Sequence, residues 1–86
     1  MMIQVVSDNA LDNNCRSLEL STGKKEIRIF IGGSFTSVCV KNAAHSVWKG
    51  SGRVFHGNNT LAQAVASYKD SAVKAMIETA MEIVAA

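Results

Sequence analysis

"EIRIFIGGSFTSVCVKN", residues 26–42, decides how this chain folds. Ile27, Ile29 and Ile31 alternate with Arg28 and Phe30. Beyond Gly32-Gly33-Ser34, Val38 and Val40 alternate with Ser37, Cys39 and Lys41. Successive side chains of a strand point to opposite faces, so each run presents one apolar face and one mixed face. A glycine-rich turn between two such runs is a hairpin signal. The stretch therefore predicts two antiparallel strands whose apolar face a second layer must cover.

The same logic extends in both directions. Upstream, "IQVV" (3–6) reads as a short strand, "SDNALDNN" (7–14) as a polar loop, and "CRSLELS" (15–21) as a strand with Leu18 and Leu20 on one face. A turn at Gly23 joins it to the hairpin. Downstream, "NAAH" (42–45) reads as a turn, "SVWK" (46–49) as a strand, Gly50-Ser51-Gly52 as a turn and "RVFH" (53–56) as the last strand.

After Asn58 the period changes. "TLAQ" (60–63) has the form of a capping box, in which Thr60 and Gln63 each satisfy the other's amide. Leu61, Val65, Tyr68 and Ala72 then recur at helical spacing, followed by Val73, Met76, Ile77, Ala80, Met81 and Val84. At about 100° per residue the second set lies a residue's width round from the first. A break at Lys69-Asp70-Ser71, with Asp70 or Ser71 capping a second helix, accounts for this better than one straight helix.

The expected fold is α+β: an antiparallel meander of four to five strands, packed on one face by a C-terminal helix or kinked helix pair. It is a two-layer sandwich in one domain spanning 1–86, β-rich over 1–57 and helical over 60–85. With 86 residues, 48% of them hydrophobic and 19% charged, the chain is apolar for its size. Either its many alanines account for the excess, or part of its apolar surface is buried against a second copy or a partner, and a homodimer is the expectation.

Chemistry-bearing motifs do not assemble. A phosphate loop needs a lysine after its last glycine, but Gly52 precedes Arg53 and Gly57 precedes Asn58. Cys15, Cys39, His45 and His56 lack the close paired spacing of zinc ligands, and no serine sits in a nucleophile elbow. Glu78 and Glu82, one helical turn apart, read as a solvated stripe. The expectation is a non-enzymatic protein without cofactor or metal.

Two scattered cysteines, no leader-like opening and no long apolar run predict a cytoplasmic protein with reduced thiols and no membrane segment.

Nine basic residues against seven acidic ones give only +2, but the charges are uneven. Between residues 24 and 53 there are six cations and a single acid, Glu26. If Ile27, Ile29, Ile31, Val38, Val40 and Trp48 face the helices, the opposite face shows Arg28, Phe30, Ser37, Cys39, Lys41, His45, Val47 and Lys49. Arg53 falls on either face. Arg28, Phe30, Lys41, Lys49 and Arg53 are the candidate contact residues, and protein–protein contact is the expected role. The general character is that of small accessory or inhibitor proteins of phages and mobile elements. The alternative is a single-stranded nucleic-acid-binding domain using a basic sheet face. In topology alone, strands followed by a helix, the chain resembles small single-strand-binding transcription cofactors.

Overall fold

Alternating residues dictate the sheet, and the computed structural model, which describes residues 2–48 and 52–86, shows it as five antiparallel strands in sequential order. These are β1 (Gln4–Ala10), β2 (Arg16–Ser21), β3 (Lys25–Ile31), β4 (Phe35–Asn42) and β5 (Arg53–His56). Two helices follow, α1 (Thr60–Ser67) and α2 (Ser71–Ala85). The expected α+β two-layer arrangement is thus the observed one.

Register fixes the faces. Leu18 pairs with Ile29, Leu20 with Ile27, Ile27 with Val40 and Ile29 with Val38, which gathers one apolar face across three central strands. Leu18, Leu20, Ile27, Ile29 and Val38 are fully buried there, against Ala64 of α1 and Val73, Met76, Ile77 and Ala80 of α2. The helical residues recur at the three- and four-residue spacing of one helix face. Isolated helices shorter than about 12–15 residues are marginal in water. Burial of each large side chain, at about 1.5–3 kcal/mol, therefore holds both helices in place.

The break between the helices lies where the change of apolar stripe requires it. Tyr68 is extended, and the Asp70 carboxylate accepts hydrogen bonds from the amides of Ala72 and Val73, capping α2. Asp70 also receives Lys25 Nζ at 2.5 Å, tying the start of α2 to the start of β3. These bonds hold its carboxyl below the usual range, the one from Lys25 contributing most.

Three local readings are corrected. Residues 7–10 continue β1 rather than forming a loop, and a 3-10 turn occupies Asp12–Asn14. The polar sequence misleads because β1 is an edge strand exposed almost throughout, so it carries no apolar alternation. Residues 46–48 form no strand, and β5 pairs directly with β4, leaving no place in the sheet for "SVWK". Lys49, Gly50 and Ser51 lie outside the described residues.

The capping box is also absent. Asn59, left-handed at φ 54°, occupies the cap position of α1 without a side-chain bond. Thr60 Oγ1 instead meets Thr36 Oγ1 at 2.6 Å, and Gln63 Nε2 donates to the carbonyls of His56 and Asn58. The Thr36 hydroxyl of β4 and the carbonyls of His56 at the end of β5 and of Asn58 beyond it take both side chains, so these two residues anchor α1 to the sheet.

Candidate functional site

The face of the sheet turned away from the helices is built by the alternate residues of the same strands. Glu19, Arg28 and Cys39 lie in one cross-strand row, and Glu26 and Lys41 in the next. Opposite charges directly across an antiparallel ladder attract. Arg28 Nε donates to Glu19 Oε1 at 3.0 Å, and Lys41 Nζ meets Glu26 Oε1 at 2.6 Å. Lys41 also donates to the carbonyl of His45, and its side chain is only 10% exposed.

Trp48 belongs to this face, not beneath the helices. Its ring centroid lies 4.6 Å from the Arg28 guanidinium and 5.2 Å from Lys41 Nζ. With no strand at 46–48, the connection from β4 to β5 is free to fold this side chain back over the two cations, where the ring's negative face attracts them. Alternation had assigned Trp48 by assuming a strand that does not form.

Towards the other end of the face the rows become aromatic. Phe30 sits between Ser17 and Ser37, and Phe35 is opposite His56. The Phe30 and Phe35 rings stack at 5.6 Å, and Phe35 and His56 lie 6.3 Å apart. Val54, paired with Ser37 on the same face, is 46% exposed. Phe55 pairs with Thr36 and packs against the core on the other side. The face thus has an aromatic half and a charge-paired half.

Of the candidate contact residues, Arg28, Phe30 and Lys41 share this face, and Lys49 lies outside the described residues. Arg53 does not join them. It pairs with the core residue Val38, so it points to the helix side. There Arg53 Nη1 donates to the carbonyl and hydroxyl of Ser67, the last residue of α1, and the guanidinium stacks 4.4 Å over Tyr68. A cation at a helix C-terminus satisfies its orphan carbonyls and its dipole. Arg53 therefore clamps β5 to the end of α1, and Tyr68, whose hydroxyl donates to the Val38 carbonyl, has its acidity weakened chiefly by burial. Phe35, His56, Val54 and Trp48 are face residues that the sequence reading left out. Pairing "RVFH" with "SFTSV" from Gly57 and Ser34 inward would have found the first three.

Among the described residues, no three His, Cys, Asp or Glu side chains gather to hold a metal. Neither Cys15 nor Cys39 forms a disulfide. A shallow groove of about 320 Å³ between the start of α1 and the end of α2 is lined mainly by Ile31, Leu61, Met81 and Val84, with no titratable group. No helix among the described residues is long and apolar enough to cross a membrane. No family model, curated protein or solved structure matches the chain.

Proposed function

We propose that this is a non-enzymatic binding protein, working as a homodimer, whose open sheet face docks a protein partner. The observation that supports it is the composition of that face. Phe30, Phe35, His56 and Val54 form an apolar and aromatic patch beside Arg28, Lys41 and Trp48, while Glu19 and Glu26 neutralise both cations. Protein interfaces are enriched in aromatics and arginine and poor in uncompensated charge at their centre. Internal pairing also orders Arg28 and Lys41 beforehand, which lowers the entropy lost on docking.

The test is affinity co-purification of the full chain from its native cell, compared with Val54→Lys. Val54 is exposed on β5, so the lysine leaves the core intact. The partner recovered with the wild type should be lost with this variant, and equal recovery refutes docking on this face.

A second reading, binding of single-stranded nucleic acid, is favoured by one observation: three aromatic rings, Phe30, Phe35 and Trp48, lie on the face. Bases stack on such rings. Phosphate contacts also need available cations and make binding fall steeply with salt. Fluorescence anisotropy with single-stranded oligonucleotides at low salt decides it, and binding that survives high salt or never occurs rejects it.

A further inference from the structure

The sheet is open, with β1 at one edge and β5 at the other. An edge strand presents a row of unpaired backbone amides and carbonyls, and proteins usually blunt it with lysine, proline, a bulge or short length. The two edges differ in this respect. β5 has four residues and begins with Arg53, whereas β1 has seven, six of them exposed. Residues 2–15 contain no lysine, arginine or proline.

Exposed apolar side chains concentrate at the same edge. Of the seven large exposed ones among the described residues, four are Met2, Val5, Val6 and Leu11, on or beside β1. The one blunting device on this edge is a bulge, where the ladder to β2 slips between Val5 and Ser7, and it carries no charge: the extra residue, Val6, sets two exposed valines side by side. The one acid within β1, Asp8, is neutralised by a fork from Arg16, whose Nε donates to Oδ1 at 2.8 Å and Nη2 to Oδ2 at 2.7 Å, so no net charge repels a second strand.

We propose that β1 is the dimer edge, pairing antiparallel with β1 of a second copy to make one continuous ten-stranded sheet. This rests on the homodimer in the reading above and gives it a geometry. A second copy fits because the edge is self-complementary. A register centred on Val5–Val6 sets Val5 of each copy against Val6 of the other, pairing β-branched side chains across the new ladder. A two-fold axis normal to the sheet is the operation that makes one edge pair antiparallel with itself. It keeps both helical layers on one side and both open faces on the other. The pairing uses up β1 in both copies and leaves only the short β5 edges, so assembly closes at two.

Analytical ultracentrifugation of the full chain tests it, alongside Val5→Lys/Val6→Lys and Val54→Lys. The wild type should sediment at twice 9.2 kDa, the lysine pair at 9.2 kDa, and Val54→Lys as the wild type does. Lysines at these exposed positions place four cations against one another across the dyad. Amide exchange gives an independent reading without any variant: β1 amides of the wild type should become protected as concentration rises. A wild-type monomer overturns both the dimer and its geometry. A dimer that resists the lysine pair, or gains no β1 protection on concentration, overturns the edge alone and leaves the homodimer standing.

Discussion

Thr36 and Thr60 offer a sharp test of how α1 is anchored to the sheet. Their hydroxyls meet at 2.6 Å, and Thr36 has no solvent exposure whereas Thr60 is half-buried. Valine replaces threonine with the same shape, and the two have nearly equal helix propensity, so only the hydroxyl is tested. Thr60→Val strands a polar oxygen with no access to water, which costs about 1–3 kcal/mol. Thr36→Val leaves its orphan at a site that water can reach, and the cost falls to about 0.5–1 kcal/mol. The double variant removes both polar groups together and should lie within about 0.5 kcal/mol of the wild type, because replacing both partners by apolar groups of the same shape is nearly neutral. Urea unfolding followed by circular dichroism, with an unchanged denaturant slope as control, measures all three. In a domain of this size 1 kcal/mol corresponds to about 4–8 °C in melting temperature, so the differences are easily resolved. Equal single effects that simply add in the double would refute the reasoning, since they would mean that the two hydroxyls are not coupled.

Gly52 stands at φ +74°, and a Cβ there would lie 2.2 Å from the Val38 carbonyl oxygen, so Gly52→Ala should cost well beyond the about 1–2 kcal/mol of left-handed backbone alone. Gly57, at φ +96° with open space around it, should show only that backbone cost when changed to alanine, and equal thermal shifts for the two would contradict the close approach. Trp48 is the chain's single tryptophan, so its fluorescence reports its own seat. Arg28→Met should raise its quenching by acrylamide and cost about 0.5–1 kcal/mol, and unchanged quenching would separate the ring from the guanidinium. The Asp70 carboxyl is held below its ordinary value of 3.8 by Lys25 and by the Val73 and Ala72 amides. Its contribution to stability is therefore present above the unfolded value and lost as pH falls through the lowered folded one. Melting temperature should drop below about pH 4 in the wild type, and Asp70→Asn should start lower and lose less over that range. Parallel curves would show that another group drives the acid loss.

The hairpin at residues 26–42 was legible because both its strands are buried on one face, which writes the period of two into the side chains. β2 and α2 were legible for the same reason, and Asp70 because a cap is a local event. What failed is what depends on neighbours distant in sequence. β1 is exposed but for the half-buried Ser7, so beyond Val6 its sequence carries no apolar alternation, and residues 7–10 read as a loop although Val5 and Val6 read as strand. Thr60 and Gln63 have the spacing of a capping box, but spacing does not reveal that a buried threonine of β4 and the carbonyls of His56 and Asn58 compete for them. The side of Trp48 followed from a strand assignment, and it reversed once that strand proved absent.

Charge is where local reading and tertiary structure part most clearly. Counted along the chain, residues 24–53 look basic, yet a sheet face is assembled across strands and not along them. Glu19 lies outside that window and arrives from β2 beside Arg28, while Glu26 lies within it and is placed opposite Lys41. Arg53 departs to the other side because β5 enters in the phase of Val38. Three of the cations that suggested an electrostatic surface are therefore committed: one to Glu19, one to Glu26 and one to the end of α1. What the face keeps is directional rather than electrostatic: stacked rings, a tryptophan held against two positive groups, and an exposed valine. On the proposed reading, such a surface selects its protein partner by shape and by the cost of burying its paired charges against an unmatched neighbour.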